Sequence, residues 1–151
     1  MHVSTYLTFS GRCEEAFRLY ERVTRGKIVA MVTHEETPAA SQVPPEWQKK
    51  IIHARLQIGD AYLMGCDAPP GRQKPPQGYM VSLGVDTPEE AERVYQELSE
   101  GGDVQMPLDQ TFFARKFAMF NDKFGIPWMV ICENRDAGGQ TTARAEREKV
   151  A

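Results

Sequence analysis

The chain has 151 residues, 41% of them hydrophobic and 26% charged, which is typical of one globular domain with its own core. Its formal net charge of −3 and the lack of a Lys/Arg cluster exclude the electrostatic attraction on which nucleic-acid and anionic-membrane binding depend. No apolar run approaches the roughly 20 residues that cross a bilayer, and residues 1–6 lack the features of a secretion signal, so we expect a cytoplasmic protein with no membrane partner.

The first half of the sequence predicts one helix among four strands. Apolar and alternating runs predict strands over residues 3–9, 27–33, 51–58 and 61–66, the last two joined by a tight turn at Gly59-Asp60. Between the first two strands, four residues with helical spacing share one apolar face: Ala16, Leu19, Tyr20 and Val23. Gly26 follows, where a left-handed residue would end the helix. In the Pro-rich connection that precedes the third strand, residues 44–47 predict a short helical turn.

The second half repeats this order after a linker at residues 68–77, which contains four prolines. Thr87 and Pro88 predict the start of the second helix, whose apolar face recurs at Ala91, Val94, Tyr95 and Leu98. Further strands are predicted over residues 79–85, 104–108, 111–120 and 126–132. Residues 134–151 are polar and charged, and we expect them to form a mobile or weakly helical tail outside any site.

A thirteen-residue segment occurs twice, at residues 14–26 and 89–101, with an offset of 75 residues. Six positions are identical, namely Glu14/Glu89, Glu15/Glu90, Ala16/Ala91, Arg18/Arg93, Tyr20/Tyr95 and Gly26/Gly101. Such a repeat indicates one supersecondary unit used twice. We therefore predict an α+β domain over residues 1–133, built from two βαβββ modules at residues 1–67 and 78–133.

Five further motifs accompany the repeat. They are Tyr6-Leu7-Thr8-Phe9-Ser10-Gly11, Ile52-His53-Ala54-Arg55-Leu56, Leu63-Met64-Gly65-Cys66-Asp67, Val104-Gln105-Met106-Pro107-Leu108 and Asp122-Lys123-Phe124-Gly125-Ile126-Pro127-Trp128-Met129-Val130. Together with the duplicated helix, they resemble the vicinal oxygen chelate superfamily of glyoxalase I, bleomycin-resistance proteins and extradiol dioxygenases, and within it the PhnB-like branch. The resemblance covers residues 3–133. It implies two modules that form a curled mixed sheet around a cleft, and a homodimer.

In the metal enzymes of this superfamily, the first and last strand of each module carry inward-pointing His, Gln or Glu ligands. Counting from the repeated helices places Thr5 and Met80 at these positions on the first strands. Matching the two closing strands places Met64 and Met129 on the last ones. A threonine and three methionines do not supply the nitrogen and oxygen ligands that a hard divalent cation requires. We therefore predict neither a metal site nor a cofactor.

Strand alternation selects other candidates for a ligand site. In the strand at residues 51–58 the apolar set Ile52, Ala54, Leu56 and Ile58 would face the helix, which leaves His53, Arg55 and Gln57 on the opposite face. His53 is the best candidate for a catalytic residue, because an imidazole can carry protons near neutral pH. The alternative is a structural, hydrogen-bonded histidine. Asp67 would either pair with His53 or Arg55, or begin a turn.

The next strand adds Met64 and Cys66 to these candidates. Cys66 would be a nucleophile only if a neighbouring cation stabilised its thiolate, and would otherwise be a small strand residue. With Cys13 and Cys132 it makes an odd, widely spaced set of cysteines, which indicates reduced thiols rather than disulfides.

Aromatic residues are concentrated near the end of the sequence. They are Phe112, Phe113, Phe117, Phe120 and Trp128. Phe113 and Trp128 would stack on a planar ligand, or else belong to the core. Arg115 and Lys116 lie among these aromatic residues, where a charged side chain needs solvent, a partner or an anionic ligand.

These patterns lead to one functional hypothesis and its rivals. We expect metal-independent binding of a small molecule, either anionic or planar, in the cleft, as bleomycin-resistance proteins sequester a drug without catalysis. The alternatives are a glyoxalase-type metal-dependent lyase or isomerase with ligands elsewhere, and a metal-free acid/base enzyme using His53. The PhnB-like branch sometimes carries a demethylubiquinone methyltransferase name. We do not expect that activity, because no Gly-rich E/D-x-G-x-G loop follows the first strand.

Overall fold

The computed structural model describes residues 1–134, which divide into two compact units. The first unit contains residues 1–79 and 123–126, and the second contains residues 80–122 and continues from residue 127. Except for Asn134, the tail predicted over residues 134–151 lies outside the described residues. Within residues 1–134, no helix is long and apolar enough to cross a membrane.

The first unit is a four-stranded mixed sheet with one α-helix. Its elements are β1 (Thr5–Phe9), α1 (Cys13–Thr24), β2 (Lys27–Thr33), β3 (Ile51–Ile58) and β4 (Ala61–Asp67). The strand order is β1-β4-β3-β2, with β1 parallel to β4 and the other pairs antiparallel. Three short 3₁₀ helices connect β2 to β3, at His34–Glu36, Pro38–Gln42 and Pro45–Trp47. The last of these confirms the helical turn predicted at residues 44–47.

The second unit repeats this architecture. Its elements are β5 (Val81–Gly84), α2 (Pro88–Ser99), β6 (Asp103–Asp109), β7 (Ala114–Asn121) and β8 (Pro127–Glu133). The strand order is β5-β8-β7-β6, again with one parallel pair, β5 and β8. The Thr87 hydroxyl accepts a hydrogen bond from the Glu90 amide, which confirms the predicted N-cap of α2. The predicted α+β fold of two βαβββ modules is therefore confirmed.

Each helix buries its predicted apolar face against the sheet of its own unit. In the first unit, Ala16, Tyr20 and Val23 of α1 are fully buried, as are Ala54 and Leu56 of β3. The second core is built in the same way, with its fully buried residues Ala91, Leu98, Ala118, Phe120, Trp128, Val130 and Cys132. Removing these apolar side chains from water contributes about 1.5–3 kcal/mol for each large residue. One face of each sheet is thus covered by a helix, and the other face is available for a site.

The end of α1 differs from the prediction. The left-handed residue is Arg25, with φ 55°, and not Gly26. Gly26 is required for a different reason, because a Cβ there would lie 2.5 Å from the Gln57 carbonyl oxygen. In the second unit, Gly101 is the left-handed residue, and a Cβ on Gly102 would collide with the Asn121 carbonyl oxygen. The repeat therefore has an offset of 75 residues in the helices but 76 residues after them.

Candidate functional site

The uncovered face of the first sheet brings several predicted site residues together. Tyr6 of β1 lies beside Met64 of β4, and Met64 lies beside Arg55 of β3. Because side chains alternate along a strand, His53 and Cys66 share this face. We call the set Tyr6, His53, Arg55, Tyr62, Met64 and Cys66 the open-face cluster. The sequence identified four of these residues as site residues, and the structure adds Tyr6 and Tyr62.

Tyr6 connects His53 and Cys66 within this cluster. Its hydroxyl oxygen is 3.3 Å from His53 Nδ1, and the two rings are 6.0 Å apart with an angle of 27° between their planes. Burial, followed by the neighbouring Cys66, raises the pKa of Tyr6 to about 12. The protonated phenol has a single proton, and when it donates that proton to His53 Nδ1, this nitrogen accepts with its lone pair. In this arrangement the His53 proton is on Nε2.

Cys66 is not activated as a nucleophile. Burial raises the pKa of its thiol, and the Asp67 charge adds to this, while a hydrogen bond with Tyr6 acts in the opposite direction. The thiol is therefore protonated at neutral pH and has little thiolate with which to attack a substrate. The other two cysteines, Cys13 and Cys132, are fully buried.

Arg55 is a cation without an acidic partner in the described part of the chain. Its guanidinium carbon lies 3.7 Å from the centroid of the Tyr62 ring, which holds the planar group by a cation–π contact. The Nε atom is buried and has no hydrogen-bond partner within residues 1–134. A buried donor without an acceptor is energetically costly, so it marks a position where a ligand acceptor would stabilise the protein.

Asp67 and Trp128 are buried and are hydrogen-bonded within the protein. The Asp67 carboxylate is 2% exposed and accepts hydrogen bonds from the amides of Cys13 and Ile51, both at 2.9 Å. It lies on the helix-covered side of β4 and therefore does not pair with His53 or Arg55. Trp128 is fully buried, and its indole N–H donates to Asp122 at 2.8 Å. Both residues stabilise the fold.

The charged residues of β7 have partners within the second unit. Arg115 donates to the main-chain oxygens of Glu133 and Asp86, at 2.9 and 2.7 Å. It lines a cavity of about 690 Å³ whose other walls include those two acidic residues. Lys116 pairs with Glu92 of α2 at 2.9 Å. The Arg115 guanidinium thus already donates hydrogen bonds to two carbonyl oxygens. Because acidic residues line this cavity, it is less suited to an anion than the open-face cluster is.

The side chain of Phe113 is 40% exposed. Its ring makes edge contacts with Phe112 and Phe117, both with centroids 5.1 Å apart. These contacts hold an aromatic surface at the start of β7, within the second unit.

On the first strand of each unit, the residue beside the closing-strand methionine differs from the predicted one, by one residue in the first unit and by two in the second. Thr5 pairs with the buried Leu63, so Thr5 lies on the helix-covered side, and Met80 precedes β5. The residues beside Met64 and Met129 are Tyr6 and Ser82. Neither the phenol and thioether in the first unit nor the hydroxyl and thioether in the second unit are ligands that a hard divalent cation prefers. Residues 1–134 also contain no group of three or more His, Cys, Asp or Glu side chains that could hold a metal.

The two units, each a four-stranded sheet with one helix, match a known fold. The two βαβββ modules have the fold of a glyoxylase/bleomycin resistance protein/dioxygenase domain from Frankia sp. EAN1pec, with a TM-score of 0.62 at 12% identity over 89% of this chain and 93% of that one. Residues 1–131 match the family described as 3-demethylubiquinone-9 3-methyltransferase, and the chain belongs to this PhnB-like family.

Three relatives show the extent of this similarity. The Pseudomonas aeruginosa protein PA1353 is 43% identical, with a TM-score of 0.81 over 88% of this chain and 98% of that one. Protein YjdN of Escherichia coli K12 is 30% identical over 86% of this chain and 94% of its own length. A PhnB protein from Bacillus cereus, described as a 3-demethylubiquinone-9 3-methyltransferase, is 25% identical, with a TM-score of 0.75 over 87% of this chain and 99% of that one.

Proposed function

We propose that this protein binds a small planar anion, without a metal ion, at the open-face cluster of its first unit. The observation that carries the proposal is the Arg55 guanidinium, which is held on the Tyr62 ring with a buried Nε that lacks an acceptor within residues 1–134. A carboxylate or phosphonate oxygen would supply that acceptor. Hydrogen bonds between charged groups are shorter and stronger than neutral ones, so an anion is the occupant that this position favours.

The rest of the cluster favours a planar ligand. Tyr6 and His53 present two nearly parallel rings, and the Met64 thioether lies between Tyr6 and Arg55 in the strand register. Aromatic rings and thioethers make favourable contacts with a flat, apolar body. The ligand would therefore place its anionic group at Arg55 and its ring toward Tyr6.

A metal-free acid/base enzyme is the second candidate, and the contact between Tyr6 and His53 favours it. If Tyr6 donates to Nδ1, the proton on His53 Nε2 is available for a bound molecule, and a general acid requires such a positioned proton. Neither the pair Tyr6 and Met64 in the first unit nor the pair Ser82 and Met129 in the second supplies the ligands of a hard divalent cation, which disfavours a metal-dependent lyase. A methyltransferase activity would need a nucleoside cofactor, and the sequence lacks the Gly-rich loop noted above.

Thermal unfolding in the presence of benzoate tests the binding proposal, because a ligand that binds only the folded state raises Tm. Benzamide lacks the charge and cyclohexanecarboxylate lacks the planar ring, so both should raise Tm less than benzoate. The experiment is run in EDTA. Arg55→Met should abolish the benzoate shift, whereas Arg18→Met, on the exposed surface of α1, should preserve it.

Two results would count against the proposal. If benzoate raised the Tm of the wild type and of Arg55→Met equally, benzoate would bind at a position other than Arg55. A shift that disappears in EDTA and returns with Zn, Ni, Fe or Mn would favour the metal-dependent alternative. A third result would support the acid/base candidate. In that case His53→Gln still binds benzoate but no longer catalyses a proton exchange that the wild type catalyses.

A further inference from the structure

His34 forms part of a second, smaller cavity in the first unit. We propose that this cavity binds a small hydroxy carboxylate, with its hydroxyl on His34 and its carboxylate on Arg72. The cavity has a volume of about 290 Å³ and is lined by His34, Ala39, Gln42, Val43, Ile52, Pro69 and Arg72. A volume near 300 Å³ is at the lower end of the range for small-molecule sites.

The imidazole of His34 is fixed by the main chain. It is 5% exposed, and its Nδ1 lies 2.9 Å from the Lys50 carbonyl oxygen. A carbonyl oxygen only accepts, so Nδ1 must carry the proton, and in the neutral ring Nε2 is left as an acceptor. Nε2 has no hydrogen-bond partner within residues 1–134. A histidine that is held through one nitrogen, with the other nitrogen unpaired beside a cavity, is positioned to accept a donor from a ligand.

The second ligand-binding group is Arg72, in the connection that follows β4. Its amide donates to the Pro69 carbonyl oxygen at 3.0 Å, which fixes the turn. Within residues 1–134 its guanidinium has no hydrogen-bond or ion-pair partner. The same cavity therefore offers an unpaired cation beside an unpaired acceptor.

These two groups define the chemistry of the ligand. Arg72 favours a carboxylate, with which a guanidinium forms two parallel hydrogen bonds. His34 Nε2 favours a hydroxyl donor. Val43, Ile52 and Pro69 add an apolar wall that suits a short branched chain. A 2-hydroxy carboxylate with a branched alkyl group combines all three features.

This cavity is separate from the open-face cluster. The residues that line this cavity include none of the six residues of the open-face cluster. The proposal therefore stands independently of ligand binding at Arg55.

The test uses 2-hydroxyisovalerate and the ¹⁵N signals of the His34 imidazole. We expect a saturable shift of the Nε2 signal, because Nε2 accepts the ligand hydroxyl. Titration calorimetry should then show about tenfold weaker binding for isovalerate, which lacks the hydroxyl, and for 2-hydroxyisovaleramide, which lacks the charge. Absence of saturable binding, or a saturable heat without movement of the His34 signals, would overturn the proposal.

Two pairs of variants separate the ligand from the fold. His34→Asn retains a donor for the Lys50 carbonyl but removes Nε2, so it should remain folded by circular dichroism and bind about tenfold more weakly. Arg72→Met should weaken binding to a similar extent, while Lys74→Met, an exposed cation in the same segment, should change affinity less than twofold. Arg55→Met should have no effect on this ligand. Unchanged affinity in His34→Asn and Arg72→Met would contradict the assignment.

Discussion

Asp67 and Arg55 are both charged strand residues of the first unit, yet they have opposite roles. Asp67 lies on the helix-covered side, where its two carboxylate oxygens connect the start of α1 to the start of β3. Arg55 lies on the uncovered side, where the described residues supply no acidic partner. The face of the strand thus determines whether the charge stabilises the protein or is available to a ligand.

Asp67→Ala should therefore lower the free energy of unfolding by about 2–4 kcal/mol, because it leaves two buried amides without an acceptor. Urea denaturation measures this loss. Asp60→Ala, in the exposed hairpin turn between β3 and β4, is the matched control and should change stability by less than about 0.5 kcal/mol. A loss for Asp67→Ala as small as that of the control would show that the carboxylate does not hold these elements together.

Cys66 offers a test of the electrostatics of the open-face cluster. Because burial raises the pKa of its thiol above the ordinary value of 9.0, alkylation by iodoacetamide should be slow at neutral pH and should have a midpoint above pH 9.0. Tyr6→Phe removes a hydroxyl that stabilises the thiolate, so it should shift this midpoint to still higher pH. Mass spectrometry after digestion identifies the labelled cysteine. A midpoint below 9.0 would revive the nucleophile interpretation of Cys66.

Among the elements, the repeat predicted the helices well and the strand register less well. The offset of 75 residues holds for α1 and α2, but the strand pairings relate Tyr6 to Ser82, an offset of 76. Compared with the first unit, the connection before the helix is one residue shorter in the second unit, and the connection after the helix is one residue longer. Counting from the helix therefore selected Thr5 and Met80 instead of Tyr6 and Ser82.

Gly26 and Gly102, which follow the two helices, lie close to main-chain oxygens of neighbouring strands. Gly26→Ala and Gly102→Ala would each press a methyl group against a main-chain oxygen and should cost about 1–3 kcal/mol of unfolding free energy. Gly84→Ala is the matched control, since a Cβ there has no neighbour within 4 Å in the described structure and its φ is not positive. It should be neutral or slightly stabilising. Chemical denaturation of all three variants provides the comparison, and equal stabilities would contradict the packing.

The candidate site was less predictable than the fold, for physical reasons. Alternation placed His53 and Arg55 on one face correctly, because a strand has a fixed period of two. The local sequence does not show that Asp67 supplies acceptors to residues 16 and 54 positions earlier, or that Trp128 donates to Asp122 inside the core. The contact of His34 with the Lys50 carbonyl oxygen is likewise absent from the local sequence, because it depends on how the connection between β2 and β3 folds back.

At the scale of the whole molecule, we expect a homodimer. The edge strand β6 of the second unit exposes Val104 and Met106, and Phe112 beside it is 96% exposed. Exposed apolar residues on an edge strand favour contact with another chain. Pro107 lacks an amide donor, so continuous strand pairing through β6 is blocked and the contact would use side chains.

Analytical ultracentrifugation tests this expectation, which predicts a mass twice the 17.0 kDa of the chain. Met106→Lys should weaken the association at least tenfold, because it places a charge in an apolar contact. Val3→Lys, which changes an exposed apolar residue of the first unit, should leave the association intact. A monomer at all accessible concentrations would contradict the dimer.

The central claim is that Arg55 binds a planar anion without a metal, and titration calorimetry of benzoate into EDTA-treated protein tests it most directly. We expect saturable binding to the wild type that weakens about tenfold or more in Arg55→Met, since the charge-assisted hydrogen bond is lost. The Arg18→Met control should bind as the wild type does. Equal binding of benzoate to the wild type and to Arg55→Met, or its absence from both, would contradict the claim.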